Sequence, residues 1–140
     1  MKKFISLYFL ISAVVFFTES CKKADDEESQ SKTIAIRTCI PVTQTESTVI
    51  CFDSLNDSRC PTGLVCTTSG FATVKLSMKN GAGVIQAFSL STLTGNHWPA
   101  PPNDTIINGY NIKLVNVFPY PNILALPHPD SYKIEVQITP

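Results

Sequence analysis

The fold is decided by residues 72–90, which read ATVKLSMKNGAGVIQAFSL. Apolar residues at the even positions alternate with polar ones up to Lys79, and this period of two is typical of a half-buried β-strand. The Asn80-Gly81 pair that follows favours a hairpin turn, because both residues tolerate the positive φ angles of tight hairpins. The chain then returns from Val84 to Leu90, so the sequence predicts an antiparallel β-hairpin.

Further strands are predicted on both sides of this hairpin. Residues 110–115 and 131–138 alternate in the same way, and two earlier β runs cover 33–40 and 47–52. No stretch has a sustained helical period, and ten prolines argue against long helices. Short antiparallel strands separated by turn residues predict an all-β fold, an immunoglobulin-like antiparallel β-sandwich of about seven strands. A small open β-barrel is the alternative.

The first 20 residues have the pattern of a secretory signal. Lys2 and Lys3 precede an apolar stretch over 4–17, which is shorter than the roughly 20 residues that a transmembrane helix needs. A basic start followed by a short apolar stretch is typical of a signal peptide, which is removed from the mature protein. We therefore expect a signal peptide at 1–20.

The motif Thr18-Glu19-Ser20-Cys21 ends this segment. A small residue before a cysteine resembles the lipobox of bacterial lipoproteins, in which the cysteine thiol receives diacylglycerol. Thr18 replaces the Leu of a typical lipobox, and the motif is similar to the relaxed boxes of Bacteroidetes lipoproteins. We expect lipid attachment at Cys21, which would anchor the mature chain to a membrane. An ordinary signal peptide cut at the same bond is the alternative.

The chain contains five cysteines, at positions 21, 39, 51, 60 and 66. Lipidation of Cys21 leaves an even four, which suits an exported protein in an oxidising compartment. Of the three possible pairings we favour two short bridges, Cys39–Cys51 across a hairpin and Cys60–Cys66 around the turn CPTGLVC. A zinc site is disfavoured, because no Cys-x-x-Cys occurs and His97 and His128 are the only histidines. No metal and no cofactor are predicted.

Residues 21–32 are predicted to form an acidic, solvated tether. The four consecutive acids 25–28 lie in a stretch with too few apolar residues to fold. A Lys followed by acids just after the lipidated cysteine also resembles the signal that exports Bacteroidetes lipoproteins to the cell surface. We expect an outer-membrane lipoprotein displayed at the surface, with a periplasm-facing anchor as the alternative. The remaining residues, 33–140, are predicted to form a single domain.

Charge limits the possible partners. Removal of Lys2, Lys3 and Glu19 with the signal peptide leaves nine basic and ten acidic residues, a net charge of −1. Nucleic-acid binding needs a basic face, and this balance provides none. The expected partners are the membrane, through the lipid, and an envelope protein or a glycan.

Residues 57–70 read DSRCPTGLVCTTSG. They resemble a group of small bacterial lipoproteins that carry Asp-Ser-Arg-Cys-Pro, a second cysteine and a Gly before an alternating strand. Members often have Pro-Tyr-Pro before a last strand with a Tyr, as at 119–121 and Tyr132 here. They usually have Trp-Ala-Gly after the second cysteine, where this chain has Thr-Thr-Ser-Gly at 67–70. The resemblance covers most of the domain and carries no activity over to it.

Three sets of residues are candidates for a functional role. Asp57 and Arg59 suit a turn cap and its ion pair, with a ligand-binding pair as the alternative. Ser54 and Thr105 stand in Asp-Ser-Leu and Asp-Thr-Ile, which match a short pattern for O-glycosylation in exported Bacteroidetes proteins.

The third set is the proline-stiffened loop 96–103, which holds His97 and the only tryptophan, Trp98. Rigid aromatics on loops are typical binding anchors, although Trp98 capping the sandwich is the alternative that we favour.

No catalytic motif is present. The sequence has no Gly-x-Ser-x-Gly, no His-Glu-x-x-His and no phosphate-binding glycine loop. Disulfides also account for cysteines that would otherwise be candidate nucleophiles. We expect a non-catalytic binding or structural module, with an envelope enzyme whose site no motif reveals as the alternative.

Lipidation can be tested on growing cells. A labelled fatty acid should label the parent chain, because the Cys21 thiol carries the lipid. Cys21→Ala should abolish the label and release the chain from membranes. Label that persists in this variant would contradict the assignment.

Overall fold

Eight β-strands in two antiparallel sheets make up the computed structural model, which describes residues 29–44, 47–95 and 99–140. The strands are β1 Gln30–Ala35, β2 Thr38–Pro41, β3 Val49–Asp57, β4 Ala72–Lys79, β5 Ile85–Ser91, β6 Asp104–Ile107, β7 Tyr110–Phe118 and β8 Lys133–Thr139. A short 3-10 helix, Pro129–Ser131, precedes β8. One sheet has the order β1-β8-β7-β6 and the other the order β2-β3-β4-β5.

The predicted antiparallel β-sandwich is confirmed, and the two sheets do not close into a barrel. The described residues form eight strands rather than about seven. The predicted run 33–40 is two strands, because the chain turns at Ile36 and Arg37 and passes from one sheet to the other. Arg37 has a φ of 60°, in the left-handed region that ends an extended strand. β6 is an additional strand of four residues that the alternation pattern did not indicate.

Strands β2 to β5 are paired in chain order, and so are β6 to β8, whereas the first strand, β1, pairs with the last, β8. The chain passes from one sheet to the other twice, between β1 and β2 and between β5 and β6. β1 starts at Gln30, opposite Ile138 of β8. The turns at 80–84 and 108–109 lie at this end, which we call the tether end.

The opposite end of the sandwich, which we call the loop end, carries all the long connections. These are 58–71 between β3 and β4, 92–103 between β5 and β6, and 119–132 between β7 and β8. The two ends of the sandwich therefore differ, with short turns at the end where the chain enters and long loops at the opposite end.

The core lies between the two sheets. The burial of β4 alternates residue by residue, so that Ala72, Val74, Leu76 and Met78 are completely buried as predicted. In β7 the register shifts between Leu114 and Asn116. This bulge makes Val117 the next buried residue of the strand. Fifteen hydrophobic residues form the core: Ile34, Val42, Ile50, Phe52, Ala72, Val74, Leu76, Met78, Leu90, Ile112, Leu114, Val117, Ile134, Val136 and Ile138.

Both predicted disulfides are present. Cys39 and Cys51 are direct partners in the β2–β3 register, with 4.0 Å between their Cα atoms. Cys60 and Cys66 close a short loop at the loop end, with a Cα separation of 6.0 Å. One bridge therefore fastens the short edge strand β2, and the other constrains a loop that has no strand pairing of its own.

The two glycines Gly70 and Gly83 provide a matched test of this backbone. Both have a positive φ, but a Cβ on Gly70 would lie 1.8 Å from the Ser58 carbonyl oxygen, whereas one on Gly83 would meet nothing within 4 Å. Gly70→Ala should lower the free energy of unfolding by about 3 kcal/mol or more, through a backbone clash added to the strain. Gly83→Ala should cost about 1–2 kcal/mol, from the strain alone. Equal losses in denaturant titrations would contradict the close approach at Gly70.

Candidate functional site

A buried ion pair stands where β3 leaves its sheet for the loop end. Asp57 ends β3, and Arg59 follows two residues later. The guanidinium donates from Nε to Asp57 Oδ1 at 2.8 Å and from Nη2 to Asp57 Oδ2 at 2.7 Å. The side chains are 9% and 7% exposed. Such a bidentate pair combines strong charge-assisted hydrogen bonds with a fixed orientation of both groups.

The pair also joins the two sheets. Arg59 Nη1 donates to the carbonyl oxygen of Val117 at 2.8 Å, and Nη2 donates to that of Pro119 at 3.0 Å, both at the end of β7. The Tyr132 hydroxyl, just before β8, donates to Asp57 Oδ2 at 3.3 Å. We call Asp57, Arg59 and Tyr132 the clamp, because they connect the end of β3 to β7 and β8 in the other sheet.

An aromatic ring covers the clamp. The guanidinium carbon of Arg59 lies 4.7 Å from the centroid of the Tyr120 ring, a distance suited to a cation–π contact. The Pro-Tyr-Pro motif at 119–121 thus provides two contacts to Arg59, the carbonyl of Pro119 and the ring of Tyr120.

The protonation behaviour of the clamp follows from these contacts. Burial raises the pKa of Asp57, but the hydrogen bonds and positive charge of Arg59 outweigh it and hold this pKa below its ordinary value. Burial and the Asp57 carboxylate together raise the pKa of Tyr132. At neutral pH the carboxylate is therefore charged and the phenol protonated, as the hydrogen bonds require.

These contacts favour the structural interpretation of Asp57 and Arg59. Among the described residues, every buried side-chain nitrogen and oxygen has a hydrogen-bond partner. Asp57 also accepts from the backbone N–H of Arg59 at 3.1 Å, which is the turn cap that the sequence predicted. The hydrogen-bonding groups of Asp57 and Arg59 are thus used in contacts with neighbouring parts of the chain.

Two of the long connections pack against each other beside the clamp. The backbone N–H of Thr62 donates to Pro121 O at 2.9 Å, and that of Ile123 donates to Thr62 O at 3.2 Å. A Cβ on Gly63 would lie 2.8 Å from the Ile123 side chain, so glycine permits the close approach. The two loops are therefore held together by backbone hydrogen bonds and packing, and the Cys60–Cys66 bridge closes one of them.

The paired loops display an exposed hydrophobic surface. Val65 is fully exposed at 103%, and Leu124 is 92% exposed. Leu64, Ile123 and Leu126 are also exposed. We call these five residues the apolar tip. Single exposed apolar residues are common on protein surfaces, but several on two loops that are bonded to each other point to an interaction site.

The loop segments that carry the tip have no charged side chains. The stretches 60–71, 92–103 and 119–129 contain no Asp, Glu, Lys or Arg, and each belongs to a connection at the loop end. The exposed ion pair between Arg37 and Asp130 lies beyond them at the same end. Sequence reasoning did not identify this surface. The signal was visible as three uncharged stretches, but only the strand order brings those stretches to one end.

The other predicted site residues lie elsewhere. Cys21, His97 and Trp98 are outside the described residues, although the connection that contains Trp98 leaves β5 and enters β6 at the loop end. Ser54 is exposed on β3 and Thr105 is half-buried on β6, so they belong to different sheets and form no common site.

A cleft of about 350 Å³ lies beside the clamp, between the turn at Ile36 and Arg37 and the prolines at 127 and 129. Ser54 and Tyr132 contribute to its walls. In the described ranges no three His, Cys, Asp or Glu residues are grouped so as to hold a metal ion.

No helix of the described residues is both long enough and apolar enough to cross a membrane. Comparisons of the chain with protein-family models, with curated proteins and with solved structures gave no match. The geometry of the loop end is therefore what bears on function.

The clamp predicts a specific pH dependence. Asp57→Asn should lower the free energy of unfolding by about 3–5 kcal/mol at pH 7, because it leaves the buried Arg59 without its carboxylate. Because the folded pKa of Asp57 lies below the unfolded value of about 3.9, its contribution is present above that pH and is lost below it. The difference between parent and variant should therefore shrink as the pH falls below about 3.9.

Asp53→Asn is the matched control, because Asp53 is an exposed acid on the same strand. It should change stability by less than about 0.5 kcal/mol. Chemical denaturation of the three proteins from pH 2.5 to 7 measures both effects. An Asp57→Asn variant as stable as the control would show that the ion pair does not hold the loop end.

Proposed function

We propose that this chain is a lipid-anchored, surface-displayed binding module without a catalytic role, and that its apolar tip binds a protein of the cell envelope. The observation that carries the proposal is the tip itself, which exposes fully accessible aliphatic side chains on two mutually bonded loops. A soluble domain that maintains such a surface in water bears a cost that binding removes.

The positions of the tether and the tip at opposite ends of the sandwich support this role. With the lipid on Cys21, the anchor is attached at the tether end, because the chain enters the domain at Gln30. The nine residues 21–29 reach about 30 Å when extended. Strands of nine residues are also about 30 Å long. The tip therefore lies at the end of the sandwich opposite to the one that the tether enters, which leaves it free for a partner.

The chemistry of the tip favours a protein over a glycan. Glycans are recognised largely through hydrogen-bonding side chains and flat aromatic rings, whereas Val65 and Leu124 offer neither. Burial of two such side chains in a concave apolar pocket contributes about 1.5–3 kcal/mol each. Segments 60–71 and 119–129, which carry the tip, have no Asp, Glu, Lys or Arg, so a pocket that closes over these segments does not have to desolvate an ion from them.

Site-specific photo-crosslinking on intact cells tests the proposal. A photoreactive residue at position 65 should give a discrete adduct that protease removes and glycosidases do not. The same residue at Asn108, an exposed position in a tether-end turn, should give none. Leu124→Asp should reduce the adduct from position 65 at least tenfold, because it places a charge in the apolar contact.

Leu124→Asp should leave the stability of the domain within about 0.5 kcal/mol of the parent, since Leu124 is exposed. No adduct at position 65, or equal adducts at both ends, would refute the tip as the binding surface. A glycosidase-sensitive adduct would refute the protein partner.

A further inference from the structure

The two open sheets leave four edge strands in the described part of the chain, namely β1, β2, β5 and β6. An edge strand presents unpaired backbone N–H and C=O groups, and natural proteins protect such edges with charges, prolines or short length. Three of the four edges carry this protection. β1 and β2 adjoin, and Lys32 of β1 donates to the carbonyl oxygens of Pro41 and Val42 at 2.8 and 2.6 Å. β6 has four residues and begins with Asp104.

The fourth edge, β5, lacks protection. Its seven residues, IQAFSLS, include neither a charged residue nor a proline. The strand also has exposed apolar residues, since Ile85 is 64% exposed and Ala87 is exposed. An uncharged, proline-free edge of seven residues readily accepts another strand.

The register shows which backbone groups of β5 are available. Thr92 N–H donates to Ala72 O, so the hydrogen-bonded pairs of the β4–β5 ladder involve the even-numbered residues of β5. The odd-numbered residues Ile85, Ala87 and Ser89 therefore direct their N–H and C=O groups away from β4. Beyond them, Ser91 N–H is already bonded to Pro102 O at 2.8 Å. No described strand pairs with this outer edge.

This edge is complementary to itself. If two copies of β5 pair antiparallel about a two-fold axis at Ala87, Ile85 of each copy lies opposite Ser89 of the other. The three residue pairs would exchange about six backbone hydrogen bonds, two for each pair. Alanine at the axis leaves room for its counterpart, and Phe88, half-buried on the core side, would lie beside Gln86 of the second copy.

Charge does not oppose this pairing. The nearest lysines, Lys75 and Lys79, are on β4. Across the joined sheet the two β4 strands would be three strand spacings apart, about 14 Å. This separation exceeds the screening length of about 8 Å at physiological ionic strength.

We propose that β5 is a dimerisation edge, which pairs antiparallel with β5 of a second copy about Ala87 to form one continuous eight-stranded sheet. The two-fold axis is perpendicular to the sheet, so two copies anchored to one membrane can be related by an axis along the membrane normal. The loop ends then extend outward on opposite sides of the dimer, and both apolar tips stay accessible. The inference does not depend on what the tips bind.

Sedimentation equilibrium of the mature chain tests the proposal, with Cys21→Ser to keep it out of membranes. The parent should show a reversible dimer between about 1 and 100 µM, a range typical of modest interfaces. Ala87→Pro removes an N–H that faces outward, and so it should retain the β4 ladder and weaken the dimer at least tenfold. Ala87→Lys, which places two cations at the axis, should weaken it at least as much and serves if the proline variant does not fold.

Ile106→Lys is the matched control, because it adds the same charge to an exposed position on the other sheet's edge. Its dimer dissociation constant should stay within twofold of the parent value. A parent that is monomeric at 100 µM, or a dimer that Ala87→Lys leaves intact, would overturn the proposal. If the Ala87 variants lose the dimer but keep the crosslink at position 65, the β5 edge and the apolar tip act independently.

Discussion

The buried ion pair between Asp57 and Arg59 is the interaction on which the loop end depends. Arg59, just past the end of one sheet, donates to two backbone carbonyls at the end of the other, 58 and 60 positions farther along the chain. An isolated charge at this depth would be strongly unfavourable, so both partners must stay together for the fold to be stable. The guanidinium is thus held in one orientation, and its contacts fix the positions of the Tyr120 ring and the Pro119 carbonyl.

The clamp explains how an apolar surface can persist on loops. Most exposed loops are mobile because few contacts hold their backbone. Here one loop is closed by the Cys60–Cys66 bridge, the other begins at the clamp, and backbone hydrogen bonds at Thr62 join them. The apolar tip and the β5 edge lie on different parts of the sandwich, one at its end and one along its side. A protein partner and a second copy can therefore be bound at the same time.

The sequence was sufficient for features that depend on local pattern. Alternation identified β4 and β8 and most of the core, and short spacing identified both disulfides. Features that depend on distant parts of the chain were not predictable in this way. Arg59 donates to main-chain carbonyls, which every residue type has, so the identities of Val117 and Pro119 do not indicate these contacts. The turn at Arg37 has a positive φ without the glycine that usually indicates one. The tip required the strand order, because its two halves are about 60 residues apart in sequence and meet only in the folded sandwich.

The central claim is that the clamp orders the two loops as one unit, and amide hydrogen exchange by NMR tests it most directly. In the parent, the amides of Cys60, Thr62 and Ile123 should exchange slowly although they lie in loops, because each donates to a backbone carbonyl. In an Asp57→Asn variant under conditions where it remains folded, these amides should lose protection together. The amides of the β4–β5 hairpin should still exchange only through global unfolding of the domain. Fast exchange at these positions in the parent, or unchanged protection in the variant, would contradict the claim.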